Sequence, residues 1–189
     1  MNRSVLTLTK TLIAALAVAG APLAAQDATL RLGGQLSFAS PIGNLADIAS
    51  TGFGVSVFGE LPMSMDTAIR GRVDYIIFGS KKMGVFKINS EVKDLVIAAD
   101  GIYSPFGHDN GIYLLVTAGI QRMSWELSRN SASDTGLCYG VGAGYNVNRY
   151  LGAEAKFIKG PSIMSGDVGT GQIDSFSNNY IQISACFRF

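Results

Sequence analysis

One histidine, two cysteines and a scatter of acidic and basic side chains are the groups in this 189-residue chain that could do chemistry. His108 stands beside Asp109 in the stretch "SPFGHDNG". A histidine paired with an acid and a serine nucleophile would serve acyl transfer or hydrolysis, but no serine near it can be singled out. Polar residues in turns ordinarily face water, so His108 reads as a solvated turn residue and no catalytic residue is assigned. One histidine and two distant cysteines, Cys138 and Cys186, make no zinc-type spacing, so neither a metal site nor a cofactor site is expected. "GTG" and "GVGAG" are not followed by helical patterns, which removes phosphate-loop readings.

The charged residues are more informative, because they fall into alternating segments. The clearest is "YIQISACFRF", with Ile181, Ile183, Ala185, Phe187 and Phe189 on one face and Tyr180, Gln182, Ser184, Cys186 and Arg188 on the other. Such a period of two is that of a β-strand. Seven more strands are expected upstream. Strand 1 (28 to 39) sets Leu30, Leu32, Leu36 and Phe38 against Arg31, Gln35 and Ser37, and strand 2 (51 to 61) sets Phe53, Val55, Val57 and Leu61 against Gly52, Gly54, Ser56 and Glu60. Strand 3 (67 to 79) opposes Ile69, Val73, Tyr75 and Ile77 to Arg70, Arg72 and Asp74. In strand 4 (91 to 103) turning Leu95, Ile97, Ala99 and Tyr103 outward brings Asp94 and Asp100 inward. Strand 5 (111 to 121) is apolar on both faces, with Leu114, Val116, Ala118 and Ile120 placed outward. Strand 6 (136 to 146) puts Leu137, Tyr139, Val141, Ala143 and Tyr145 opposite Cys138 and glycines 136, 140, 142 and 144, a row expected to admit side chains from opposite strands. Strand 7 (150 to 159) alternates Leu151, Ala153, Ala155 and Phe157 with Gly152, Glu154 and Lys156.

The inward row thus collects Arg31, Glu60, Arg70, Arg72, Asp74, Asp94, Asp100, Glu154, Lys156 and Arg188. Charges of both signs on one face need an ion-paired or aqueous setting. An apolar outer face with a charged inner one describes a barrel whose exterior meets lipid, and a last strand ending on an aromatic suits a membrane interface. About ten residues per strand span a bilayer at barrel tilt. Connections after strands 2, 4 and 6 ("PMSMD", "SPFGHDNG", "NVNR") are short, while those after strands 1, 3, 5 and 7 run to roughly 10 to 18 residues, the alternation of periplasmic turns and extracellular loops. Trp125 and Met123 fall at the third long loop, as a binding patch or as an interfacial aromatic. Cys138 and Cys186 face inward near opposite ends of strands that are not neighbours, so two separate thiols are expected, a disulfide needing Cα atoms within about 7 Å.

The N-terminus fits export. Arg3 and Lys10 flank a passage into the apolar run Leu12 to Ala19, which ends in "GAPLAA", and no acid precedes Asp27. This reads as a signal peptide, residues 1–25, cleaved before Gln26. Residues 26–189 then form one domain with 13 basic and 14 acidic side chains, so no bulk charge attracts nucleic acid.

With these strands placed, the chain resembles the small outer-membrane barrel family that includes outer membrane protein X and the transmembrane domain of outer membrane protein A. The resemblance spans residues 26–189 and is most specific in "GVGAGYNVNRYLGAEAKFIKG" and the terminal "ISACFRF". It implies an all-β, eight-stranded antiparallel up-and-down transmembrane barrel in the cell outer membrane. It also implies recognition of the last strand, with Phe189, by the barrel-assembly machinery, and no shared biochemical activity. The expected role is non-enzymatic, structural or surface-interacting through four long loops, in a monomer whose partners are outer-membrane lipids, lipopolysaccharide and an unidentified loop ligand. The alternatives are a lipid A-modifying barrel enzyme and a narrow ion channel.

Overall fold

The computed structural model describes residues 29–80, 90–127, 130–166 and 173–189, without the side chains of 48, 90, 91, 125–127, 130–132, 162–166 and 173–177. The signal-peptide reading of 1–25 lies outside them. Eight strands follow in order: β1 (Arg31–Ile42), β2 (Ala49–Pro62), β3 (Thr67–Ser80), β4 (Ser90–Tyr103), β5 (Gly111–Leu127), β6 (Asn130–Asn146), β7 (Leu151–Gly166) and β8 (Ile173–Arg188). Each pairs antiparallel with the next, and β8 returns to β1 with Phe38 opposite Ile183 and Gly33 opposite Arg188. The closed barrel satisfies the backbone ladder of both end strands, which is what allows strands to stand in lipid. Beyond β8, the Phe189 amide donates to the Leu32 carbonyl oxygen at 2.9 Å, so the last residue is held on the seam.

The faces are those expected from alternation. Phe53 is 71% exposed and Leu137 76%, whereas Arg70 and Asp74 are completely buried. In the doubly apolar β5, Leu114, Val116 and Ile120 point out while Tyr113, Leu115 and Thr117 are buried. In β4, Asp94 and Asp100 face the interior.

Strand length departs from expectation. The strands run 12 to 17 residues, against the ~10 a bilayer requires, because they continue into stretches expected as loops. Most of "RMSWELSRNSASD" belongs to β5 and β6, whose ladder reaches Leu127 opposite Asn130, and β7 with β8 extends to Gly166 opposite Ile173. The β-branched and small polar residues there pair across the hairpin as readily as they would form a loop. The first long connection instead holds a five-residue helix, α1 (Asn44–Ile48), entered through Gly43 at φ 61°, a left-handed geometry open to glycine. Leu45 of α1 is buried at the hairpin-end mouth of the barrel, in the apolar cluster with Ala39, Ala49 and Tyr180.

The glycine row of β6 also works differently from the expectation. Its space is taken by adjacent strands rather than opposite ones. Tyr113 of β5 is the register partner of Gly144, and a Cβ there would overlap its ring, while Lys156 and Ile158 of β7 lie over Gly142 and Gly140.

Candidate functional site

The interior has two halves. Toward the short turns it is ionic and centred on Arg70, which the two-residue period of β3 aims inward with Arg72 and Asp74. Arg70 donates to Glu60 of β2 at 2.9 Å and to Glu154 of β7 at 2.6 Å, and its guanidinium lies 4.8 Å from the Phe58 ring centroid. Glu154 also takes Lys156 at 2.6 Å, the Tyr113 hydroxyl at 2.9 Å and Gln35 at 3.3 Å. Arg72 pairs with Asp74 and donates to Asp100 at 3.0 Å, while Thr117 donates to Asp100 at 2.7 Å. Four cations (Arg70, Arg72, Lys156 and Arg188) and four acids (Glu60, Asp74, Asp100 and Glu154) are buried here, in balance, and every strand except β6 sends a member to the Arg70 and Arg72 clusters, β8 through Arg188 at 3.7 Å from Glu60. A barrel of about eight strands has width only for its own side chains, and this network occupies it.

Toward the long hairpins the lumen is apolar. Ala39, Ile76, Phe78, Val92, Met123, Ile158 and Tyr180 pack together beneath Leu45, with the Phe78 and Tyr180 rings edge to face at 5.6 Å between centroids. Asp94 reaches into this half, where the Gln121 amide donates to it at 2.5 Å.

Several single-residue readings change. His108 is not solvated. It is buried at the turn end, its Nε2 2.9 Å from the Ser64 carbonyl oxygen of the neighbouring turn, and its own carbonyl accepts from Asn146. Asn146 in turn accepts from Arg188 at 2.8 Å, so the three tie the β2–β3 and β4–β5 turns to β6 and β8. Arg31 leaves the interior cluster for the mouth, pairing with Asp109 at 2.8 Å. Met123 is buried in the apolar half rather than on a surface patch, and the Trp125 side chain lies outside the described residues. Cys138 and Cys186 are separate buried thiols. Gln35, Tyr113, Thr117 and Gln121 were not singled out from sequence as interior ligands, although the spacing of Tyr113, Thr117 and Gln121 at even intervals carried the signal. Among the described residues no group of three or more His, Cys, Asp or Glu side chains could hold a metal ion.

The outer rim holds a second feature. The β6–β7 ladder ends at Tyr139 opposite Lys159, although both strands continue outward. The next inward-outward step on β7 brings Pro161, which has no N–H to give, with its ring against Gly136, and the β7–β8 register shifts between Lys159 and Ser162. Beyond that point, among the described residues, β6 from Asn130 to Cys138 has no ladder partner on its β7 side, where Pro161 packs against Gly136.

Comparison with known proteins gives a family match over residues 11–189, to the outer membrane protein beta-barrel domain. No curated protein matches the chain. Among solved structures, Neisserial surface protein A aligns with TM-score 0.52 and 18% identity over 87% of this chain and 100% of its own. The N-terminal β-barrel domain of Pseudomonas aeruginosa OprF aligns with TM-score 0.50 and 14% identity over 86% and 100%. The attachment invasion locus protein of Yersinia pestis, in complex with the heparin analogue sucrose octasulfate, aligns with TM-score 0.50 and 17% identity over 86% and 97%. At such identities the likeness is one of fold.

Proposed function

This chain belongs to the outer membrane protein β-barrel domain family, and from that premise we propose that it is a non-enzymatic surface-interaction protein of the outer membrane, acting through its projecting hairpins. The observation that carries this reading is the flank of β6 from Asn130 to Cys138, which among the described residues has no ladder partner on its β7 side. Natural proteins usually cover or charge such edges, and an uncovered one accepts an added strand. The partner is then an extended polypeptide segment. Lipopolysaccharide and the barrel-assembly machinery are further proposed partners, the latter through β8 and Phe189.

The lumen supports the same reading. An ion would have to cross the Arg70 network and then the apolar packing under Leu45, so conduction finds little support. His108 is engaged with a turn carbonyl, which leaves it poorly placed as a catalytic base.

The test compares cells producing the intact protein with cells producing a trimmed one, residues 124–133 replaced by a two-residue turn, for adhesion to a panel of immobilised protein surfaces. Adhesion is expected to fall several-fold at equal amounts of folded barrel. Equal adhesion by both strains on every surface would overturn the reading.

A further inference from the structure

At the turn end of the barrel the outward rows run apolar into the turns themselves. The β2 row passes through Val55, Val57 and Leu61 to Met63, whose amide donates to the Thr67 carbonyl oxygen at 2.8 Å and so prolongs the hairpin. The β6 row passes through Val141 and Tyr145 to Val147, whose amide donates to the Leu151 carbonyl oxygen at 2.9 Å. Beyond them the tips are still apolar, with Met65 86% exposed, Phe106 75% and Tyr150 51%.

Row length decides where this end lies. From Phe53 to Met63 and from Leu137 to Val147 there are ten residue steps, and from Leu95 to Tyr103 and from Ile181 to Phe189 there are eight. At ~3.3 Å per residue and a tilt of ~40°, these rows are roughly 20 to 25 Å tall, no more than the ~25 Å apolar band of an outer-membrane barrel. The next outward residues at the hairpin end are Lys93, Thr135 and Asn179. Lifting the turns clear of the membrane would draw these into hydrocarbon, at a cost greatest for the charged one. Charges among the tips limit how deep they go. Asp66 is exposed beside Met65, Asp109 pairs with Arg31 at 2.8 Å, and the Arg149 guanidinium lies 4.5 Å from the Tyr150 ring centroid. Charge and aromatic ring meet in this way at the level where headgroups mix with water.

We propose that Met63, Met65, Phe106, Val147 and Tyr150 form a foot seated in the phospholipid leaflet at the turn end, with Met63 and Val147 at the border of its hydrocarbon and the other three among its headgroups. Continuity selects a lipid surface as the occupant over a periplasmic protein. The foot is the lower end of the rows that already face lipid, and on β2 and β6 no charged side chain separates the two. By fixing the height of the barrel, the foot keeps the polar ends of the hairpins clear of the opposite leaflet. It is independent of the unpaired β6 flank, which lies at the other end of the molecule.

The native methionines test it. The full barrel is refolded into phosphatidylcholine nanodiscs, both faces of which meet water, and treated with chloramine-T, a water-borne oxidant that converts accessible thioethers to sulfoxides. Peptide mass spectrometry gives the initial rates, and Met123, buried in the lumen, stays protected as a marker of folding. Because the fold leaves Met65 bare, lipid has to supply any shielding it shows. Met65 should oxidise at least about fivefold more slowly in the nanodisc than in urea, as expected of a side chain lodged in the interface. Ser133→Met, at an exposed position of β6 beyond the apolar row, should oxidise near the urea rate. A second measurement identifies the shielding molecule: in a Trp125→Phe background, Phe106→Trp emission should be quenched by a nitroxide carried on the lipid headgroup. Oxidation of Met65 in the nanodisc at the urea rate would place the tips in water, open to a periplasmic protein, and would overturn the proposal. Absence of headgroup quenching at position 106 would overturn it equally.

Discussion

Glu154 shows how a single residue is held. It receives Arg70, Lys156, Tyr113 and Gln35, and its side chain is fully buried. Ion pairs in such a setting add little over apolar packing, but breaking one leaves a buried charge without compensation. Glu154→Gln should therefore cost about 3 to 5 kcal/mol. Reversible denaturant unfolding in lipid vesicles measures it. Adding Lys156→Met removes the stranded ammonium and should recover part of the loss, whereas equal stability of single and double variants would mean that the two side chains are not coupled. At this scale the sequence placed Glu154, Lys156 and Arg70 on the inner face, since alternation alone requires it. Which carboxylate meets which cation depends on side chains from strands 84 residues apart in sequence, as Arg70 and Glu154 are.

At the scale of the strand, the faces of β6 are the most asymmetric, with Val141 exposed to lipid between Gly140 and Gly142. Val141 lies near the middle of the apolar band, so Val141→Arg should destabilise the barrel by about 2 to 4 kcal/mol as the charge leaves water or thins the bilayer. The same unfolding measurement applies, and a neutral result would mean that β6 presents its other face. Strand ends were less legible than strand faces. Nothing in the alternation of "RMSWELSRNSASD" distinguishes a polar loop from a polar strand that has left the membrane, because both are solvated and only hairpin pairing separates them.

For the whole molecule, the antiparallel up-and-down order puts the short turns together on one side and the hairpins on the other, and the even number of strands brings both ends of the barrel to the turn side. The short turns hold Asp66, Asn148 and the His108 latch, and Asp47 lies in α1 at the opposite end. Single cysteines replacing Asp47 should be labelled by an impermeant maleimide on intact cells, and those replacing Asp66 or Asn148 only after the outer membrane is breached. The native Cys138 and Cys186 are buried and should contribute little background. Labelling at position 148 on intact cells would reverse the orientation, and with it the exposure of the unpaired β6 flank.

The sequence by itself determined the number of strands, the faces of most described strand residues and an outer-membrane barrel, because a period of two and the width of an apolar band are properties of neighbouring residues. The tertiary structure alone decided what those faces do. Leu45 packs over the hairpin-end mouth, Pro161 ends the β6–β7 ladder, His108 latches one turn to another, and Arg70 of β3 meets Glu154 of β7 across the lumen. Each depends on barrel stagger, which sets the height at which distant residues meet and leaves no trace in the local pattern of either strand.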